Sequence, residues 1–187
     1  MRAILAAAAV SLVAALAACG EEGTAVPPSP QAMPATAVGQ YCGMLVAEHP
    51  GPKGQIILES RAAPLWFSSA RDALAFTMLP EEAKDVRAVY VSDMARAPGW
   101  DDPGAANWVE ARRAYFVIGS RATGGMGAAE TVPFSDADAA ARFAAAHGGK
   151  VVRLRDVPVD YVLGDTGTGP LSGGHDPQAD DAGEERR

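Results

Sequence analysis

Cysteine is scarce in this 187-residue chain, which contains only Cys19 and Cys42. No Cys-x-x-Cys pair is present, so the usual disulfide-exchange motif is excluded. Basic residues are also few, because 16 lysines and arginines stand against 23 acidic residues and the net charge is −7. Nucleic-acid surfaces are normally basic, and we therefore expect no nucleic-acid partner.

Long apolar runs are absent except at the N-terminus. Residues 3–18 follow Arg2 and are apolar or small apart from Ser11, a length that suits a signal peptide and is marginal for a membrane span. The run ends in Leu-Ala-Ala-Cys, the pattern that lipoprotein signal peptidase recognises. We predict that residues 1–18 are removed and that Cys19 carries lipid. An ordinary secretory signal with a chance cysteine is the alternative.

The segments that flank the fold are predicted to be flexible. Residues 19–39 contain four prolines among small residues, which predicts a lipidated, extended tether. Residues 164–187 are rich in Gly, Asp and Pro and are predicted to be disordered. Cys19 is not followed by the aspartate that commonly retains lipoproteins in the inner membrane. We therefore expect a periplasm-facing, lipid-anchored protein, with the outer membrane favoured.

The middle of the chain contains an internal repeat with a displacement of 67 positions. Five residues recur at that spacing: Phe67, Ser68, Ala70, Ala73 and Phe76 as Phe134, Ser135, Ala137, Ala140 and Phe143. A short β-type run precedes each Phe-Ser pair, and an amphipathic helix pattern follows it. Ser68 and Ser135 are the predicted helix N-caps.

Each copy predicts two strands, a helix and a third strand. The predicted strands are 55–58, 64–67 and 86–91 in the first copy, and 114–118, 130–134 and 150–154 in the second. We therefore expect an α+β fold of two homologous ββαβ units, at residues 40–100 and 101–163, with the junction at 101–107.

The candidate site is Cys42-Gly43-Met44 in the first unit. If Cys19 is acylated, Cys42 is a lone thiol in an oxidising compartment, where free thiols need burial or a use. In an extended segment the sulfurs of Cys42 and Met44 would point the same way, and such soft donors select Cu(I). The pair could equally be core filling, since both residue types pack well.

Other residues could extend or replace this site. His49, Met94 and Met126 are the candidate additional ligands, and Met126 stands out because glycines flank it. His147 is followed by two glycines, which is an ordinary helix ending. A Cys42–His49 nucleophile pair lacks an orienting third group, and no phosphate-binding loop is present, so we expect no enzyme.

Several segments together resemble the NosL family. They are Cys42-Gly43-Met44, residues 51–56 (Gly-Pro-Lys-Gly-Gln-Ile), 67–69 (Phe-Ser-Ser), 88–94, 115–120 (Tyr-Phe-Val-Ile-Gly-Ser), Met126-Gly127 and 132–135 (Val-Pro-Phe-Ser). The resemblance covers about residues 38–155. It implies two ββαβ units like those of organomercurial lyase, although this chain lacks the additional cysteines expected for organomercurial cleavage.

The resemblance also implies a function. NosL proteins are copper-binding lipoproteins, so this chain is expected to bind Cu(I) through Cys42 and Met44 in the periplasm. Its expected partners are nitrous oxide reductase and the ABC-transporter maturation complex of that enzyme. A copper buffer of the cell envelope and an interaction lipoprotein without metal are the alternatives.

Overall fold

The computed structural model describes residues 26–164, which form two small antiparallel sheets with helices packed against them. The strands are β1 (Gly54–Leu58), β2 (Leu65–Phe67), β3 (Val86–Ser92), β4 (Trp108–Glu110), β5 (Tyr115–Ile118), β6 (Val132–Phe134) and β7 (Lys150–Arg153). The helices are α1 (Ala70–Met78), α2 (Ala137–His147) and α3 (Val159–Leu163), with 3-10 turns at Val46–Glu48 and Leu154–Asp156. Within the described residues no helix is long and apolar enough to span a membrane. The predicted signal peptide, Cys19 and residues 165–187 lie outside them.

The repeat is visible in the strand order. The first sheet runs β2-β1-β3-β4 and the second runs β6-β5-β7, so three strands of each sheet have equivalent places. Gly54 in β1 lies opposite Phe67, and Tyr115 in β5 lies opposite Phe134, the repeat partner of Phe67. The expected α+β fold with two ββαβ units is therefore confirmed.

Helices α1 and α2 each pack over one face of their own sheet. Phe67, Ala73 and Phe76 belong to the cluster between α1 and the first sheet, and Phe134 and Ala140 to that between α2 and the second. Small alanines let the helices approach while phenylalanines fill the space beside them, since interiors pack densely. A third cluster joins the units, and it contains Ala70, Leu74, Val91, Phe116, Ile118 and Val162 among its buried members.

Two buried carboxylates also connect the units. Asp93, after β3, accepts a 2.8 Å hydrogen bond from the N–H of Ser135, just before α2. Glu130, before β6, accepts a 2.8 Å hydrogen bond from the N–H of Arg71 in the first turn of α1. Each unit thus supplies an acceptor to the segment that begins the other unit's helix, where free N–H groups need partners.

Two observations concern the expected boundaries of the first unit. Strand β4, at residues 108–110, pairs with β3, so the first sheet continues past the expected boundary at residue 100. A three-residue strand is too short to show a period in sequence. The second half of the predicted tether is not free, because Tyr90 donates a 2.7 Å hydrogen bond to Pro28 and the Gln55 side chain bonds the backbone of Gln31 at both ends.

The helix caps lie one residue later than predicted. Ser69, not Ser68, is the N-cap of α1, and its hydroxyl accepts from the N–H of Asp72. Asp136, not Ser135, is the N-cap of α2 and accepts from the N–H of Ala139. Both members of each adjacent pair can cap a helix, and only the backbone conformation selects between them.

Candidate metal centre

Cys42 and Met44 lie in a tight turn, not in the extended segment that the sequence suggested. An antiparallel bridge between Val38 and Leu45 closes the turn. Inside it the N–H of Gly39 donates to the carbonyl of Met44, and the N–H of Gly43 donates to the carbonyl of Gly39, both at 2.9 Å. Gly43 has a φ of 66°, which a residue with a side chain rarely adopts, so the backbone reverses between the two sulfur residues.

The Cys42 thiol is half-buried and unpaired. Its Sγ lies 4.0 Å from the carbonyl oxygen of Met44 and close over Gly39. A Cβ atom on Gly39 would come within 2.5 Å of that sulfur, so the thiol needs a glycine beneath it. Met44 is 41% exposed, so an exposed thioether residue and a half-buried thiol residue lie two positions apart on the same turn.

The turn is fixed to the edge of the first sheet. The N–H of Gln40 donates a 2.7 Å hydrogen bond to the carbonyl of Trp66 in β2. The Tyr41 ring stands edge-on to Phe67 with centroids 5.4 Å apart, and its hydroxyl donates to Glu82 at 2.9 Å. Burial and the neighbouring Glu82 carboxylate raise the pKa of Tyr41 well above its usual value. The two sulfurs are therefore carried on an anchored turn.

His49 connects this region to the second unit. Its Nδ1 lies 3.2 Å from the carbonyl oxygen of Gly125, and because a carbonyl only accepts, Nδ1 carries the hydrogen. In the neutral ring Nε2 then has a free lone pair, and this atom is buried without a hydrogen-bond partner. A Cβ on Gly125 would come within 2.5 Å of the His49 Cβ, so the loop of residues 123–129 packs closely against the histidine.

Met126 is carried on that same loop and is 55% exposed, as the flanking glycines suggested. The structure therefore joins His49 and the Met126 loop by contact, and places both next to the segment that follows the Cys42 turn. Met94 is elsewhere. It is half-buried, not exposed at a loop, and packs against the cluster of Val117, Val132 and Phe134 in the second unit.

Lys53 is a supporting residue that sequence reasoning missed. Only 2% of it is exposed, and its Nζ donates to the carbonyls of His49 and Pro50. Burial lowers its pKa to about 8, while the Glu130 carboxylate raises it in opposition. The ammonium group thereby fixes the bend between the Cys42 turn and β1. Its position in the Gly-Pro-Lys-Gly run was the only available signal.

Glu130 supports the Met126 loop from below. It is fully buried, and its Oε1 accepts 2.8 Å hydrogen bonds from the N–H groups of Arg71 and Thr131. Its Oε2 contacts Gly124 and has no hydrogen-bond partner. Burial raises its pKa to about 7, although the N–H donors act in the opposite direction. A carboxyl that is partly protonated near neutral pH therefore lies between the units.

The donor atoms of the turn are soft. Among residues 26–164, no group of three or more histidine, cysteine, aspartate or glutamate side chains is placed to hold a metal ion. A thiolate with a thioether is a different donor set, which suits a monovalent soft ion and not Mg²⁺ or Ca²⁺. The arrangement can hold such an ion at the surface of the turn.

Comparison with known proteins agrees with this chemistry. A family model described as NosL matches residues 30–162. The chain is 46% identical to a copper-binding lipoprotein NosL of Achromobacter cycloclastes over 182 residues, which cover 97% of this chain and 90% of the relative. It is 34% identical to a copper-binding lipoprotein NosL of Stutzerimonas stutzeri over 116 residues, or 62% of this chain and 59% of the relative.

A solved structure is similar over the same region. The crystal structure of the copper chaperone NosL from Shewanella denitrificans matches with a TM-score of 0.65 and 39% identity. The match covers 70% of this chain and 97% of that chain. The similarity thus extends over both ββαβ units.

Proposed function

The chain belongs to the NosL family, and we propose that it is a copper chaperone that binds Cu(I) through the Cys42 thiolate and the Met44 thioether. One observation carries the proposal: the half-exposed thiol and the exposed thioether lie on one anchored turn. The relatives described as copper-binding lipoproteins and as a copper chaperone support the choice of metal.

The ligand set suits transfer as well as binding. Sulfur donors hold Cu(I) at low coordination number, so a partner can add its own sulfur before the turn releases the ion. His49 Nε2 and the Met126 thioether are the additional donors that we assign, because one loop contact joins them. Met94 is the least supported of the earlier candidates, since it packs in the second unit. The chain carries the metal and does no catalysis.

The surface around the turn supports delivery to a partner. Val38, Tyr41, Met44 and Leu45 are between 38% and 52% exposed, although all four are large and apolar. Adjacent exposed apolar side chains are typical of an interaction surface, which a simple copper buffer does not need. We assign nitrous oxide reductase and its ABC-transporter maturation complex as the partners.

The location follows from the N-terminus. A lipid on Cys19 would attach the protein to a membrane on its periplasmic side, with the outer membrane favoured. Acylation also removes one of the two thiols, which leaves Cys42 without a disulfide partner in the same chain. Globomycin treatment should cause accumulation of a precursor that retains residues 1–18, whereas an unchanged mature mass would contradict the lipid anchor.

Anaerobic Cu(I) titration with a chromophoric competitor tests the site. We expect Cys42→Ser to remove most high-affinity binding and Met44→Leu to weaken it. Met78, which is partly buried against the cluster that joins the units, is the control, and Met78→Leu should bind like wild type. Affinity should fall as the pH is lowered, because protons compete with Cu(I) for the thiolate. Wild-type affinity in Cys42→Ser would show that the assignment is wrong.

Met126→Ala is expected to act more weakly. The loop that carries Met126 contacts His49 through the Gly125 carbonyl, and we assign Met126 as an additional donor, so the loss of affinity should be smaller than that of Met44→Leu. Complete loss of binding in Met126→Ala would instead make it a primary ligand.

Deletion of the gene distinguishes delivery from buffering. We expect nitrous oxide reductase purified from the deletion strain to be copper-deficient, and complementation with Cys42→Ser to leave it so. A fully loaded reductase in that strain would favour a copper buffer.

A further inference from the structure

The segment that follows β3 of the first unit contacts the edge of the second sheet, much as the segment of the Cys42 turn contacts the edge of the first. In the first unit the carbonyl of Trp66, on edge strand β2, accepts the N–H of Gln40 at 2.7 Å. In the second unit the carbonyl of Pro133, 67 positions later on edge strand β6, accepts the N–H of Met94 at 2.9 Å. Met94 therefore contacts the edge of β6 as Gln40, two residues before Cys42, contacts the edge of β2.

A cleft beside Met94 contains further soft donors. Its volume is about 530 Å³, and Met94, Trp100, Phe143 and His147 all line it. The Phe143 ring is stacked on His147 at 4.3 Å and on Trp100 at 6.2 Å between centroids. A thioether, an imidazole and an indole thus share one concave surface.

The ordinary explanation of His147 accounts for only part of this arrangement. A histidine in the last turn of α2, before the cap at Gly148, is favourable for the helix itself. That role does not require Met94 and Trp100 to line the same cleft. The position of Met94 is independent of the helix ending, because the hydrogen bond to Pro133 in β6 fixes it and α2 does not.

We propose that Met94 and His147 bind a second soft monovalent metal ion, Cu(I) or Ag(I), in this cleft, with the Trp100 indole beside it. Thioether sulfur and imidazole nitrogen are both donors for such ions, and an aromatic face attracts a cation. Arg121 also lines the cleft, and its guanidinium bonds the Ala146 carbonyl at the end of α2. A nearby positive charge and the lack of a thiolate make this site weaker than the Cys42 site.

The test is an Ag(I) titration of the full chain in detergent, observed through ¹³C-labelled methionine methyl groups and tryptophan fluorescence. We expect the Met44 methyl to shift with the first equivalent and the Met94 methyl with the second, together with fluorescence quenching. In Cys42→Ser the Met94 methyl should still shift. The experiment therefore distinguishes a wrong second site from a wrong assignment of the Cys42 site.

Three variants in the Cys42→Ser background complete the test. Met94→Leu and His147→Gln should each weaken the remaining binding at least about tenfold, since removing a ligand costs no less than removing its support. Met78→Leu is the matched control and should bind unchanged. An unshifted Met94 methyl, or wild-type second-site affinity in both Met94→Leu and His147→Gln, would overturn the proposal. Unchanged methyl spectra of the metal-free variants verify that they are folded.

Discussion

The two ββαβ units share a strand order and a helix but differ at their exposed edges. In the first unit the edge of β2 carries a closed turn with a thiol and a thioether. In the second unit the edge of β6 accepts the N–H of the half-buried Met94, which follows β3 of the first unit and lies beside an aromatic cleft. The repeat therefore supplies the scaffold, and the segments attached to its edges supply the chemistry.

The two carboxylates that join the units differ in their hydrogen bonding and therefore in their pKa values. Asp93 accepts hydrogen bonds from Ser135, Ala95 and Arg96, and Arg96 also forms a 2.6 Å ion pair with it. Burial would raise its pKa, but these donors outweigh burial and hold the pKa below its usual value. Glu130 has N–H donors on one oxygen only, and burial raises its pKa to about 7. Asp93 is thus an anion whose charge is stabilised by hydrogen bonds, whereas ionisation of Glu130 lowers the free energy of unfolding.

The largest expected effect on stability comes from Glu130. Between pH 4.5 and about 7 the folded chain keeps a proton on Glu130 that the unfolded chain has lost, so the free energy of unfolding falls as pH rises. Glu130→Gln should remove this slope, which amounts to roughly 3 kcal/mol at most. Chemical denaturation from pH 4.5 to 8 measures it.

Asp93→Asn should behave in the opposite way. The stability from Asp93 is present above the pKa of the unfolded side chain and is lost as pH falls through the lower folded value. The substitution should therefore cost about 2 kcal/mol at pH 7. Parallel pH profiles for the Glu130→Gln and Asp93→Asn variants would contradict the assigned difference between the groups.

A smaller effect is expected beneath the thiol of the first unit. Gly39→Ala places a Cβ within 2.5 Å of the Cys42 sulfur and should destabilise the turn by about 2 kcal/mol while weakening Cu(I) binding. Gly99→Ala is the control, because no heavy atom lies within 4 Å of the added Cβ. Equal Cu(I) affinities in the two variants would show that the glycine does not position the thiol.

The smallest effect concerns the helix start in the second unit. Asp136→Ala removes a 2.7 Å bond to the N–H of Ala139 and should cost about 1 kcal/mol. Ser135→Ala should leave the helix start intact, because Ser135 is not the cap, and should cost only the hydrogen bond of its side chain to Asp93. A larger loss of thermal stability in Ser135→Ala than in Asp136→Ala would indicate that Ser135 is the cap, as the sequence suggested.

Local patterns predicted the repeat and most of its elements, because periodicity and cap-forming residues are local properties. They did not separate Ser68 from Ser69, since both can cap a helix. They also missed β4, which exists through its register with β3. The attachment of residues 28–31 to the sheet was missed for the same reason, because it depends on Tyr90 and Gln55 across the fold.

The sulfur residues of the candidate site stay a prediction, whereas the shape of the segment that carries them differs from the expected one. Cys42 and Met44 were identified from sulfur chemistry, yet Gly43 with its positive φ makes a turn where an extended segment was expected. The contact of His49 with Gly125 joins residues 76 positions apart, and the bonds of Lys53 to the His49 and Pro50 carbonyls depend on the bend of the backbone between them. Spacing along the chain carries no information about such contacts, so only the glycines beside Met126 favoured it over Met94 before the fold was known.

Copper K-edge absorption of the full chain with one equivalent of Cu(I) tests the central claim most directly. The account predicts a first coordination sphere dominated by sulfur in the wild-type protein, and loss of a sulfur neighbour in Cys42→Ser. This measurement reports the ligands of the bound copper directly and requires no partner protein and no cellular assay. A sphere of only nitrogen and oxygen neighbours, or an identical spectrum in the Cys42→Ser variant, would contradict the account.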